Sequence, residues 1–311
     1  MRFSLTSILF PVMLFLASCT TTSIQQKEQL VLNLDLQTSN KNKEMIIEYL
    51  LKEDLQFAVD FDKTDSYKLG NNILKSDLKY FCNSFIEEQN IFLESVVFNS
   101  SRDSNKKILI VYSDEFKKIA QNLKNKYPLE LYFLIDEENY KNKIDKILGR
   151  DLSIEKHSNM SSIDRNINIE HSPRIRNDIS KMYFLINYDL GKTIVPIFRS
   201  SALNIDFYSS TQIFHNANNL KKLVDFENTY IPLSKKIIDN ISNKKKIDSI
   251  ENEFEKLLIS DFLTIEKIYQ NNLFKSNIML ETGPTKIRKN QCINRNLPIW
   301  KISSNSITNR S

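Results

Sequence analysis

The sequence is poor in glycine, with four in 311 residues, and that scarcity removes whole classes of chemistry. A loop that cradles phosphate brings backbone N–H groups close to the anion and relies on glycine to do so. Neither a Walker-type nor a dinucleotide-type fingerprint is present, and no Gly-x-Ser-x-Gly elbow exists to present a nucleophilic serine. No cofactor-binding pattern remains. Histidine is also sparse: His157, His171 and His215 stand apart, with no HExxH and no CxxC to complete a metal site. Asp60, Asp62 and Asp65 form the densest acidic cluster, but the glycine and distal glutamate of a calcium loop are missing, and they read as a solvated turn. No catalytic set survives, so an enzyme is not expected. Basic residues are interspersed with acidic ones rather than gathered in a stripe, and no nucleic-acid module is recognisable. Nucleic acid is therefore not an expected partner.

What is present begins at the N-terminus. Arg2 precedes an apolar run from Ile8 to Phe15, broken only by Pro11. Spanning a bilayer takes about 20 apolar residues, so the run has the length of a signal-peptide core. Leu16-Ala17-Ser18-Cys19 resembles the bacterial lipobox, which implies cleavage before Cys19, a diacylglycerol on its thiol and acylation of its freed amine. Two or more acyl chains, such as palmitate, anchor a protein stably where one does not. The expected organisation is a signal peptide at 1–18, a lipidated polar tether at 19–27 and a body at 28–311. Thr20, not aspartate, follows the cysteine, and the resemblance to lipoproteins of two-membrane envelopes then implies the periplasmic face of the outer membrane.

Losing Arg2 with the signal peptide leaves 42 basic against 38 acidic residues, a net charge of +4. A hydrophobic fraction of 41% is enough for a real core. An exported protein can form disulfides. For Cys82 and Cys292, a bond and two separate buried thiols are both open.

Along the body, short β-rich runs alternate with amphipathic stretches. Leu30 to Leu36 and Leu55 to Phe61 read as strands around a helix from Lys43 to Lys52. Ile73, Leu74, Leu78, Phe81 and Phe85 recur at helical spacing, and Ile91 to Phe98 reads as a third strand closed by a polar turn. In that turn Asn99, Ser100 and Ser101 offer hydroxyls and N–H groups at a strand's carboxyl end, where α/β folds hold ligands. Ser100 and Ser101 are the candidate ligand-binding residues, with capping of the next segment as their plainer role. Lys107 to Tyr112, the helix around Phe116 to Leu123, and Leu129 to Ile135 form the clearest βαβ unit. A helix at 140–148, a loop-rich stretch at 150–176, strands at 182–186 and 205–209 around a helix at 189–198, and a long helix at 247–271 follow. Two short extended runs flank Lys289-Asn290 at the end. Strand–helix alternation of this kind argues for parallel sheets with helices on both faces.

The second half carries a resemblance. Pro173-Arg174-Ile175-Arg176-Asn177-Asp178-Ile179 leads into Met182 to Ile186. Pro196 and Arg199, Phe207-Tyr208-Ser209-Ser210, Asp225-Phe226-Glu227 and Ile231-Pro232 follow. Thr282-Gly283, Cys292-Ile293-Asn294-Arg295-Asn296-Leu297 and Trp300 complete the series. In order and spacing these blocks resemble the C-terminal domain of the LpoA-type penicillin-binding-protein activators, the LppC lipoproteins, most clearly over 170–302. The resemblance implies an α/β, type I periplasmic-binding-protein-like fold: two lobes with mainly parallel sheets flanked by helices. It also implies an outer-membrane lipoprotein whose partner is a bifunctional penicillin-binding protein, an enzyme regulator acting on peptidoglycan synthesis and cell shape. A small-molecule ligand is then not expected. Two departures stand out. Longer family members carry a preceding helical-repeat domain, which nothing here supplies, and Thr211-Gln212 stands where the pattern leads one to expect arginine. The alternative function is a solute-binding lipoprotein of a transport system, with ligand in the interlobe cleft.

Overall fold

The computed structural model describes residues 32–35, 37–38, 40–52, 57–60, 68–70, 73–76, 78–99, 106–136, 140–163, 171–202, 204–243, 248–274, 277–303 and 307–309. Cys19, Ser100 and Ser101 lie outside these, as do Asp62 and Asp65.

The strand Lys107–Tyr112 (β5) explains the architecture. Its sequence KILIVY has buried residues at all four inner positions, as a parallel strand covered on both faces requires. Ile110 lies opposite Tyr132 of Leu131–Leu134 (β6) on one side and Tyr183 of Ile179–Leu185 (β7) on the other, both parallel. Asp206–Ser209 (β8) and Thr229–Pro232 (β9) extend the parallel sheet beyond β7. Ile299–Ile302 (β12) and Ile307–Asn309 (β13) close it with antiparallel pairs, giving the order β13-β12-β9-β8-β7-β5-β6. Side chains alternate between the two faces. Ile108, Ile110, Tyr183 and Leu185 join Leu93, Val97 and Leu123 in one apolar layer. Leu109, Val111, Met182 and Phe184 join Ile194, Val195 and Phe198 in the other. The helices Phe85–Asn99 (α2) and Lys117–Lys126 (α3) cover the first face, and Tyr188–Ser201 (α6) contributes to the second.

Two smaller parallel pairs precede this sheet: Leu32–Asp35 (β1) with Phe57–Asp60 (β3), and Gln37–Thr38 (β2) with Lys68–Gly70 (β4). Between β2 and β3 runs Asn40–Lys52 (α1), which packs on the longest helix, Ile250–Gln270 (α8), with the Tyr49 hydroxyl 2.9 Å from Ser260 Oγ. Lys235–Asn243 (α7) buries Ile237, Ile238 and Ile241. The buried apolar residues of α1, Met45, Ile46 and Leu50, belong to the same continuous cluster as Phe254 and Phe262 of α8 and Phe184 and Phe198 of the large sheet. No helix among the described residues is long and apolar enough to cross a membrane.

Three sequence expectations are corrected. Ile91 to Phe98 is not a strand but the second half of α2. That helix buries Phe85 and Ile86 in one cluster and Leu93, Val97 and Phe98 in the other, and the two buried sides together with the exposed Ile91 blur the single apolar stripe that signals a helix. The local signal was the capping box: Ser84 Oγ accepts from Glu87 N (3.2 Å), and Glu87 Oε2 accepts from Ser84 N (3.1 Å). The expected loop-rich stretch 150–176 begins with a helix, Arg150–Ile163 (α5), that buries none of its residues. It follows Tyr140–Leu148 (α4) through Gly149, whose φ of +72° suits glycine. The helical spacing of Ile73 to Phe85 yields only a 3₁₀ turn at Ile73–Lys75, and Phe81 instead bridges to Ile293.

Candidate functional site

In chain order the five parallel strands run second, first, third, fourth, fifth across the sheet, so the connection reverses between β5 and β7. Ligands of open α/β sheets bind outside the carboxyl ends of the strands at that reversal. The residues delivered there are Ser113 and Glu115 after β5, Asn187 after β7, and Ser210, Thr211 and Gln212 after β8. Asn187 is fixed by its second role, capping α6 by accepting from Leu190 N at 3.1 Å. Glu115 accepts from Lys75 Nζ at 3.2 Å and from Asn187 Nδ2 at 3.5 Å. Thr211 donates through N and Oγ1 to Gln89 Oε1 (3.0 and 2.9 Å), and Gln89 Nε2 donates to Pro232 O at 2.8 Å. His215 pairs with Glu251 across the rim.

Polar atoms are left over. Both amide atoms of Gln212, which is 8% exposed, have no protein partner, and the same is true of the buried Ser113 and Ser210 hydroxyls. Unmet buried polar groups are costly. The space available is small, about 110 Å³ between Lys75, Glu115, Asn187, Gln212 and Glu251. Ligand pockets occupy roughly 300–1,000 Å³. In the core cluster nearby, Phe254 of α8 stacks on Phe214 just beyond β8 (5.6 Å, 8° between planes) and tilts against Phe85 (6.3 Å). A backbone bond from Ile250 N to Ala217 O (2.6 Å) pins the start of α8 to the same loop.

A second polar concentration lies on the C-terminal arm, residues 277–303. The Arg295 guanidinium, buried, pairs with Glu88 of α2, donates through Nε to Thr282 Oγ1 (2.7 Å) and stacks over the Phe81 ring at 3.8 Å. Thr282 in turn donates its hydroxyl and its N–H to Asp261 of α8, which also accepts from Glu281 N at 2.5 Å. Burial pushes the Asp261 carboxyl up to about 6, against the lowering pull of Arg295 and these bonds. Burial likewise raises Glu88, against the opposing pull of Arg295. Beside this network Cys82 and Cys292, 210 residues apart, form a disulfide with Cα atoms 4.9 Å apart, which resolves the alternative the sequence left open.

The blocks that carry the family resemblance fall on such structural positions. Arg199 Nη1 donates to the carbonyls of Val224, Asp225 and Glu227. Arg176 forks onto Asp178 with both bonds at 2.6 Å, and this pairing holds Asp178 below the usual carboxylate range. Trp300 Nε1 donates to Leu233 O at 2.8 Å, and Gly283, at φ +153°, leaves its missing Cβ only 3.0 Å from Asn296 O. Thr211 and Gln212, where arginine was expected, are buried in the crevice.

Of the remaining sequence candidates, those within the described residues do not converge. Ser100 and Ser101 lie outside the described residues, and the segment before them is helical rather than a strand. Asp60 ends β3, apart from the crevice. His157 and His171 stack face to face at 4.3 Å beside α5, and lost hydration together with His157 lowers the His171 pKa. Among the described residues no group of three or more His, Cys, Asp or Glu could hold a metal ion. Asn187, and the place of Gln212 in the crevice, escaped sequence reasoning because only the strand order brings them together.

No protein-family model matches this chain, and no curated protein does. Solved structures do. A putative branched-chain amino acid ABC transporter protein from Rhodospirillum rubrum is 10% identical with a TM-score of 0.53, over 90% of this chain and 99% of that one. Full-length LpoA from Haemophilus influenzae is 8% identical with a TM-score of 0.45, over 90% of this chain and 48% of that one. The LpoA C-domain of the same organism, described as a regulator of PBP1A, is 9% identical with a TM-score of 0.42, over 91% and 100%. The chain thus spans about half the length of full-length LpoA. The fold is periplasmic-binding-protein-like, mixed α/β with a mainly parallel central sheet flanked by helices.

Proposed function

We propose that this protein is a non-enzymatic, lipid-anchored component of the bacterial envelope that binds and activates a bifunctional penicillin-binding protein. The carrying observation is the small crevice: the space at the carboxyl ends of β5, β7 and β8 is about 110 Å³, against roughly 300–1,000 Å³ for ligand pockets. A fold with so little space at that crevice retains its outer surface as the means of recognition. The C-terminal blocks that resemble the LpoA-type activators support the partner class, the Leu16–Cys19 tetrad supports a lipid anchor on Cys19, and Thr20 after it supports the outer-membrane location. Activation then means higher affinity for the synthase's active conformation than for its resting one.

The test is a binding and activity assay with a purified bifunctional synthase. The full chain is expected to bind it and to raise the rate of glycan polymerisation or cross-linking. A synthase that neither binds nor speeds up would overturn the reading. The solute-binding alternative is favoured by one observation, the unpartnered Gln212 amide.

A further inference from the structure

The positive charge of this chain is gathered at its end, against the interspersed pattern its lysines suggest elsewhere. After Glu281 there are six basic residues and no acidic one, so the preceding 281 residues carry 37 basic against 38 acidic. The whole excess belongs to the last thirty residues. The structure folds the first part of that segment into a cup. Ile278–Met279 (β10) pairs antiparallel with Pro284–Thr285 (β11), and Thr285 bridges to Arg295 on the far side. The resulting groove holds about 680 Å³, and none of its lining residues is acidic.

The cations in it are unanswered from within. Arg295 spends its charge on Glu88, and Glu281, the last acidic residue of the sequence, is taken by Lys236. Lys286 and Arg288 line the groove, Lys289 lies beside it, and all three are exposed with no ion pair among the described residues. Like charges repel and would spread a free loop. Here the chain is held instead, by the Cys82–Cys292 disulfide at the groove wall and by the bonds of Cys82 N to Ile293 O (3.0 Å) and Ile293 N to Tyr80 O (2.7 Å). Between the cations stand side-chain amides, Asn277, Gln291 and Asn294, and an apolar Met279 that is 70% exposed.

We propose that this cup is a docking site for an extended acidic segment of a protein partner, its carboxylates on Lys286 and Arg288, its backbone on the amides and an apolar side chain on Met279. The inference rests on the reading of the chain as a partner-binding protein and adds the contact face to it. Preorganisation by the disulfide lowers the ordering cost of binding, and the charge gives a salt-dependent encounter.

The test measures fluorescence anisotropy of a labelled peptide rich in Asp and Glu with the full oxidised chain. The peptide is expected to bind at low salt, to weaken at least tenfold with K286E/R288E, and to be unchanged by the exposed control pair K221E/K222E. Unaltered melting of both variants shows that they fold. Absence of binding, or an equal loss with the control pair, overturns the proposal. So does tighter binding of anionic phosphatidylglycerol vesicles or single-stranded DNA through the same two cations. Because the probe is a peptide, this result is independent of whether a synthase binds. Peptide binding without synthase binding would sink the proposed partner class and leave the docking face standing.

Discussion

In β5, Ile108 and Ile110 enter one apolar layer while Leu109 and Val111 enter the other, and each contact is repeated by the neighbouring strands. In the arm 277–303, by contrast, the decisive contacts are single and long-range: Arg295 with Glu88, Thr282 with Asp261, Cys292 with Cys82. The sheet spreads its stability over many dispersive contacts, so one altered side chain is cushioned by its neighbours. The arm adds to buried apolar side chains such as Leu280, Ile287, Ile293 and Leu297 a few polar and covalent links that have no local substitutes. Residues with such single links, Arg199, Thr282 and Arg295 among them, stand within the short sequence blocks that carry the family resemblance, beside blocks from the strands β7, β8 and β9.

The sharpest break of this contrast is Arg295→Ala. It leaves Glu88 and Asp261 buried without their cation, and such a loss costs about 3–5 kcal/mol. Chemical denaturation of the full chain should show it, and a double variant Arg295→Met with Glu88→Leu should recover much of the loss. If the single variant cost under about 1 kcal/mol, the network would not hold the arm. Removing the disulfide with Cys82→Ser and Cys292→Ser should cost about 2–4 kcal/mol, read as a shift in denaturation midpoint that reductant reproduces in the parent. In the sheet region, Gly191→Ala places a Cβ 2.7 Å from Phe226 Cε1. Phe226 is fully buried, so the overpacking should cost about 1–3 kcal/mol.

The smallest expected effect is one of pH. The Asp261 carboxyl titrates at about 6 when folded, above its ordinary value of 3.8. A folded state that holds its proton more tightly is stabilised by acid. This contribution is fully present below 3.8 and is lost as pH rises through about 6. Between pH 5 and pH 7 it should fall by about 1 kcal/mol, and Asp261→Asn should flatten that slope. A parent protein that gained stability over the same window would contradict the environment assigned to Asp261.

The same contrast explains what could be read from sequence. The strands at 107–112, 131–134 and 206–209 and the helices at 140–148 and 250–270 announce themselves by β-branched runs or by a 3.6-residue apolar period. α2 does not, since a helix that buries residues in two clusters and exposes Ile91 shows no single apolar stripe, and its Ser84–Glu87 capping box was the clue available. α5 does not, because a helix that buries nothing has no apolar stripe aligned on a core. The crevice could be located only in outline. Ser210 and Gln212 lie near each other in sequence, but Ser113 and Asn187 join them through strand order, and Lys75 through the 3₁₀ turn Ile73–Lys75 that precedes α2. Glu88 and Arg295, 207 residues apart, left no local signal at all.

The account turns on whether the crevice at the carboxyl ends of β5, β7 and β8 is closed to solutes. Its most direct measurement is the melting temperature of the full chain against a panel of amino acids and small metabolites at millimolar concentration. A ligand at 100 times its dissociation constant would add about 2.7 kcal/mol, well within detection. The expected result is no shift for any member of the panel. A clear stabilisation that disappears in Gln212→Ala would place a solute beside that amide and contradict the account.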